Sequence, residues 1–294
     1  MARYLVIGKS GQLAQALAQE GGADVYCAGH TEADLRDPDA LDRALGQNAP
    51  KLVINAGAYT AVDKAEAEPD LCRAVNVSGP GSLARLCDAR GIPLIHLSTD
   101  CVFDGEKATP YTPQDRAAPL CVYGQSKLDG ERAVREVAGR CLIVRVSWIF
   151  SQYGSNFVTT MLRLAETRDE VSVVNDQYGC PTYAPALARA ILQIAEQVSV
   201  SGNHAWGTYH LAGAGETDRA TMAQLIYQAS ARHGGPIAHV KSIPTENYPT
   251  PARRPLNARL DMSDTTRVFG VELPDWEEGL NETVRALVKE MKAS

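Results

Sequence analysis

The chain has no C-x-x-C pair, no internal repeat, no low-complexity linker and no long hydrophobic run. Each absence removes a class of protein. Seven cysteines, an odd number, stand singly at positions 27, 72, 87, 101, 121, 141 and 180, mostly inside apolar runs. They read as buried free thiols in a reducing compartment, not as a disulfide framework or a zinc site. No segment approaches the roughly 20 apolar residues of a membrane span. The N-terminal MARYLVIGKSG holds too short an apolar run for a signal peptide and has no cleavage site. The expectation is a cytoplasmic chain with no membrane partner. Positive charge is also short: 29 Lys and Arg against 35 Asp and Glu leave a net charge of -6. That excludes a general nucleic-acid binder. A phosphate-bearing small ligand stays open, because a few arginines or a helix N-terminus suffice to hold one.

What is present is an alternation of short apolar runs and amphipathic stretches. Strands are expected at 4–7, 24–28, 52–55, 94–97 and 142–146, several of them apolar on consecutive positions, as in parallel strands covered on both faces. Helical patterns fall between them at 12–20, 38–46, 69–90 and 123–138. The alternation predicts an α/β fold with a doubly wound, mostly parallel sheet. After Trp148 the pattern loosens into helices at 156–167, 185–197 and 221–233, separated by polar segments such as NDQYGCPT and PTENYPTPARRP. Residues 1–150 therefore read as a dinucleotide-binding domain. Residues 151–294 read mainly as a smaller substrate-binding lobe, with a soft boundary and some segments returning to the sheet.

Gly8 and Gly11 lie between the first strand and the first helix, in YLVIGKSGQLAQAL. A turn there needs glycine so that the backbone can bend and approach a pyrophosphate, which then faces the helix N-terminus. The spacing is G-x-x-G, shorter than the long Rossmann fingerprint, and Ala14 fills the later glycine position. The second strand ends in Gly29 and His30 without a carboxylate, and Glu32 comes slightly late. Lys9, inside the turn, could meet a 2′-phosphate or could be a solvated loop charge. NADPH is the preferred cofactor on this reading, with NADH as the alternative. Asp34 is placed either to meet the adenine or to cap the helix before Pro38. After the third strand, Ala56, Gly57 and Ala58 are small enough for a flat ring or ribose to approach, and Ala58, Tyr59 and Thr60 lie on the ligand-facing loop.

Tyr123 and Lys127, four residues apart, share one face of a helix. A ketone that accepts hydride also needs a proton on its oxygen. An ammonium beside a phenol pulls the phenol below its usual value of about 10. With 11 tyrosines in the chain a chance Y-x-x-x-K is not rare. The weight comes from its place, after the fourth strand and before the fifth. Thr99, at the end of the fourth strand, can donate to the substrate oxygen and couple to Tyr123, with Ser98 as its rival.

Taken in order, GKSGQLA, NAGAYTAVDKAE, LSTDCVFDG, VYGQSKLDGE, RVSWIF, NDQYGCPT and PTPARRPLNARLD resemble the extended short-chain dehydrogenase/reductases. Within them the match is closer to the dTDP-4-dehydrorhamnose reductase family and covers nearly the whole chain. The resemblance implies NAD(P)H-dependent reduction of the C-4 ketone of a dTDP-linked 4-keto-6-deoxy sugar. It implies Tyr123 as proton donor, Lys127 as its partner and Thr99 as the residue tuning proton transfer. Gly11, Gln12, Leu13, Asp34, Leu35, Ala58, Tyr59 and Thr60 would line the cofactor. Thr99, Asp100 and Trp148 would contact the sugar nucleotide. Trp148 suits a sugar or base face as a flat wall or is a core aromatic after the fifth strand, and Arg254 suits a diphosphate or is an exposed loop arginine. Three departures stand out: Cys101 where the family has tyrosine, Ala258 where serine is common, and a first helix reading QLAQALAQE. Some relatives are described as Mg2+-linked dimers using a glutamate on that helix. Its only carboxylate here is Glu20, so no metal is expected, while a homodimer stays open. Two rivals remain: another nucleotide-sugar 4-ketoreductase or epimerase with the same catalytic pair, and a non-catalytic regulatory subunit on the same fold. The latter predicts a damaged catalytic set, whereas Tyr123, Lys127 and Thr99 are all present.

Overall fold

The computed structural model describes residues 2–200 and 205–293. Five parallel strands form the heart of the first half: β1 (Tyr4–Ile7), β2 (Val25–Ala28), β3 (Leu52–Asn55), β4 (Leu94–Thr99) and β5 (Cys141–Val146). β1, β3, β4 and β5 are buried along their whole length, as expected of mostly apolar strands covered on both faces. A sixth parallel strand, Gly207–His210, adds beside β5, so the order across the sheet is β2, β1, β3, β4, β5 and then Gly207–His210. The chain leaves β1 toward one edge and returns past it to the other. The order therefore reverses between β1 and β3, which opens a crevice beyond their carboxyl ends.

One apolar core lies on each face of the sheet. Leu13, Ala16 and Leu17 of α1 (Gln12–Gly21) pack with Leu187, Ile191 and Ile194 on one side. Leu41, Leu45, Leu83 and Val134 fill the other. Each such leucine, isoleucine or valine contributes about 1.5–3 kcal/mol on burial. A third core, with Val158, Leu162, Ile226, Leu280 and Val284, builds the lobe from helices Phe157–Ala165, Arg219–Arg232 and Trp276–Ala293. A parallel pair of strands, Glu170–Val174 and His239–Ile243, completes it. Among the described residues no helix is long and apolar enough to cross a membrane.

The expected helix at 69–90 is three pieces: Pro69–Arg73, a π-helical turn at Ala74–Ser78, and Gly79–Ala89. Pro80 is the cause. It has no N–H to give the carbonyl of Asn76 four residues back, and its ring pushes that carbonyl aside. The displaced carbonyl faces Gly130 of helix Val122–Arg135, where an added Cβ would lie 2.1 Å from it. The sequence reading lacks several elements of the second half, among them strands Glu170–Val174, Gly207–His210 and His239–Ile243 and helices Ser263–Phe269 and Trp276–Ala293. β4 also runs two residues beyond the expected 97, which brings Ser98 and Thr99 into the strand itself.

This crossing sets the height of helix Val122–Arg135 above the sheet. Gly130→Ala is expected to destabilise the fold by about 1–3 kcal/mol through overpacking, read as a lower urea midpoint. An unchanged midpoint would show that the crossing is loose.

Candidate active site

The crevice opens into a cleft of about 830 Å3, within the range of cavities that bury small ligands. Its floor on one side is the turn into α1. Gly8 takes φ +114°, with backbone of Ala56 and Gly57 packed where a side chain would stand. Its N–H donates to the Ala28 carbonyl at 2.9 Å. Gly11 is the N-cap of α1, has no side chain to satisfy the first helical N–H groups, and faces open space. An uncapped helix start beside an unobstructed glycine is a cradle for an anion. Gln12 reaches across to the lobe, accepting from Ser151 Oγ at 2.9 Å. Leu13, Ala58 and Thr60 line the same cleft.

Four of the expected cofactor residues stand behind this surface. Gly8 shapes the turn without lining the cleft. Asp34 is held by Arg36, with Nε at 3.1 and 3.2 Å from its two oxygens and Nη2 at 2.8 Å. It does not cap the helix before Pro38 either, because Asp37 does. Leu35 is buried against Gly57 and Gly79. Tyr59 is fixed through its backbone: its N–H donates to Asn76 Oδ1 at 2.8 Å, and its carbonyl accepts from Asn76 Nδ2 at 3.0 Å. Asn76, which the sequence reading did not single out, also donates to Ser126 Oγ at 2.9 Å. It ties the 58–60 loop to the catalytic helix. Glu32, read as too late for the second strand, folds back so that its carboxylate accepts from the Gly29 N–H at 2.7 Å. That bond holds the carboxyl below its usual range. Lys9 lies 3.6 Å from the same carboxylate, so its charge is partly matched.

Tyr123, Lys127 and Thr99 line one wall of the cleft. Cys121 caps their helix, its sulfur accepting from the Gly124 N–H at 3.4 Å. Lys127 is buried, and its ammonium donates to the Leu97 carbonyl at 2.6 Å. Burial draws this lysine down to about 8, with Glu131 opposing the fall. The phenol of Tyr123 behaves differently from the sequence expectation. Burial and the neighbouring Cys101 push it well above its usual value, while Thr99 pulls the other way. Desolvation is the largest cause, and the Lys127 ammonium is engaged with the Leu97 carbonyl instead. Near neutrality a phenol is protonated even at its ordinary value of about 10, as a proton donor must be. Thr99 Oγ1 donates to Asp100 Oδ1 at 2.8 Å, and Ser147 Oγ donates to Asp100 Oδ2 at 2.8 Å. Ser98, the rival to Thr99, donates to Glu131 at 2.6 Å instead. Glu131 is fully buried and takes two bonds from Arg145, at 2.8 and 2.7 Å. This ion pair lies one turn beyond Lys127 on the same helix face.

The opposite wall belongs to the lobe. Trp148 has a positive φ of 43°, a costly conformation for a bulky residue. Its indole lies against Gly179, where a Cβ would come within 2.4 Å. Its face is covered by Arg219, whose Cζ is 3.4 Å from the ring centroid and 5.1 Å from that of Phe157. Arg254 also lines the cleft, but its guanidinium is bound by Asp63 at 3.0 and 2.8 Å and by Thr250 Oγ1 and the Ala252 carbonyl. Cys101 and Ala258, the departures noted above, both line the cleft. Burial holds the Cys101 thiol well above its usual value. Arg219 escaped the sequence reading because no motif surrounds it. Its one signal is a cation at the first position of a helix, where the dipole favours the opposite charge. Among the described residues no three His, Cys, Asp or Glu side chains gather to hold a metal, and Glu20 pairs with Arg189.

Comparison with known proteins agrees with this geometry. The family described as RmlD substrate binding domain matches residues 2–289. The chain is 44% identical over 293 residues to a dTDP-4-dehydrorhamnose reductase of Sinorhizobium fredii (strain NBRC 101917 / NGR234), covering 99% of both chains. It is 38% identical over 291 residues to that of Escherichia coli (strain K12), covering 96% and 97%. Among solved structures, the dTDP-4-dehydrorhamnose reductase of Bacillus anthracis in complex with NADP superposes with a TM-score of 0.88 at 32% identity, over 96% of this chain and 99% of that one. The chain belongs to the dTDP-4-dehydrorhamnose reductase family.

Proposed function

We propose that this chain reduces the C-4 ketone of dTDP-6-deoxy-L-lyxo-4-hexulose with NADPH, giving dTDP-L-rhamnose. The observation that carries the reading is the convergence of Tyr123, Lys127 and Thr99 on one wall of a cleft whose far end is the uncapped start of α1. It is supported by a dTDP-4-dehydrorhamnose reductase that is 44% identical over 99% of the chain.

The cradle fits a dinucleotide. Gly11 leaves open space where a side chain would project, and the first N–H groups of α1 are free to meet a pyrophosphate. Gly11, Gln12, Leu13, Ala58 and Thr60 would hold it, with Gly8, Leu35, Asp34 and Tyr59 shaping or flanking the surface. When bound there, NADPH supplies hydride to the carbonyl carbon. Tyr123 gives its proton to the carbonyl oxygen, and its raised value keeps that proton in place until the oxygen becomes basic. The Lys127 ammonium stabilises the phenolate that remains. Thr99 donates to the same oxygen by turning its one hydroxyl proton away from Asp100, and Trp148 walls the sugar side. In this reading residues 1–150 hold the cofactor and most of residues 151–294 the substrate. The chain acts in the cytoplasm, where seven free thiols stay reduced.

The test is turnover of the dTDP-linked ketosugar with NADPH, with the product identified by NMR. Formation of dTDP-L-rhamnose is expected; an epimer or no NADPH oxidation contradicts the proposal. Tyr123→Phe should lower kcat by about 10²–10⁴-fold and leave NADPH affinity within twofold. Normal turnover by that variant would remove Tyr123 as the donor.

A pH profile follows from Lys127. Its ammonium is present below about 8 and lost above. kcat/KM for reduction, which reports the free enzyme, should fall as pH rises through about 8. A flat profile to pH 10 would contradict the role of the ammonium.

A further inference from the structure

We infer that Arg219 is the receptor for the diphosphate of the sugar nucleotide, and that it makes the site select a nucleoside diphosphate over an uncharged nucleoside. This deepens the function proposed above and rests on it. Four basic side chains line the cleft, Lys127, Arg219, Arg253 and Arg254, against two carboxylates, Asp63 and Asp100. The surplus is positive in a chain whose net charge is -6. Lys127 is engaged with the Leu97 carbonyl, and Arg254 is matched by Asp63 in a two-bond pair. Arg253 is exposed at the rim, where water screens it. Arg219 is different. It stands within the cleft between two aromatic rings, and no carboxylate among the described residues lies within ion-pair distance of it.

A guanidinium stacked face-on keeps its N–H donors in the plane of the group, aimed past the ring edges. The rings fix its orientation and supply no counter-charge. Arg219 is also the first residue of a 14-residue helix, whose positive end adds to its own charge. A cation held at such a point is costly until an anion arrives. Burial already draws the guanidinium down to about 10, and Asp100 only partly offsets this.

Position decides which anion. Arg219 shares its wall with Trp148, Phe157 and Met222, residues of the lobe or its entrance. The N-terminus of α1, suited to the dinucleotide pyrophosphate, opens from the sheet side. The two diphosphates thus have separate receptors.

The test measures binding of dTDP, thymidine and NADPH by calorimetry to the whole protein and to its Arg219→Gln and Arg219→Lys variants, together with steady-state kinetics on the ketosugar. Arg219→Gln should weaken dTDP and raise KM for the ketosugar by about 10- to 100-fold, as expected for loss of charge-assisted hydrogen bonds. Thymidine affinity, NADPH affinity and kcat should stay within about threefold. Arg219→Lys should recover part of the loss. NADPH binding certifies that each variant is folded. Unchanged dTDP affinity in Arg219→Gln, or wild-type protein that fails to bind dTDP, overturns the receptor. Equal weakening of NADPH and dTDP assigns Arg219 to the cofactor and overturns it too. Tight, Arg219-dependent dTDP binding without turnover would leave the receptor standing and sink the reductase reading instead.

Discussion

Everything at this site depends on a lysine that carries its charge out of water. Lys127 is buried, and its ammonium is held by one backbone carbonyl at 2.6 Å. A bare ammonium in such a place loses its proton easily. The fold compensates from below: Glu131, one helical turn on, faces the same layer and draws the lysine back toward its charged form. Glu131 is itself buried and would be prohibitive alone. Arg145 from β5 and the Ser98 hydroxyl from β4 satisfy it. The strands that end at the cleft therefore also hold up the helix that supplies its chemistry, and a buried ion pair becomes tolerable because its lone pairs are filled.

The height of that helix is set by a backbone irregularity. Pro80 opens a π-turn, and the displaced Asn76 carbonyl nests against Gly130. The Asn76 side chain meanwhile clamps the loop at Tyr59 and the hydroxyl of Ser126. One residue thereby relates the loop after β3 to the helix bearing Tyr123 and Lys127. Across the cleft the lobe is bound to α1 through Gln12 and Ser151 and to the 62–65 helix through Asp63 and Arg254. The substrate wall and the cofactor cradle are joined by a few polar bonds, and the cleft lies between them.

Much of this was legible in the sequence. The strands of the first half announce themselves because parallel strands covered on both faces are apolar on consecutive positions, and β2 shows as a short β-branched and aromatic run although it lies at the sheet edge. The glycine turn and the Tyr123–Lys127 spacing follow from local chemistry. The sixth strand did not, because GTYH is short and half polar and is defined by its partner β5. The helix 276–293 carries a four-residue apolar spacing at 276, 280, 284 and 288, which marks one face of it in the sequence. The phenol's shift was misjudged because spacing reveals a neighbour's charge and not its burial. Arg219, Glu131 and Asn76 were missed for a related reason. Each acts through partners distant in sequence, so only the folded chain brings their chemistry together.

Burial, opposed by Glu131, tunes Lys127. NMR titration of lysine side chains, with the Lys127 resonance assigned by loss in Lys127→Arg, measures this directly. A midpoint at about 8 is expected; a midpoint near the ordinary lysine value of about 10.4 would contradict this tuning.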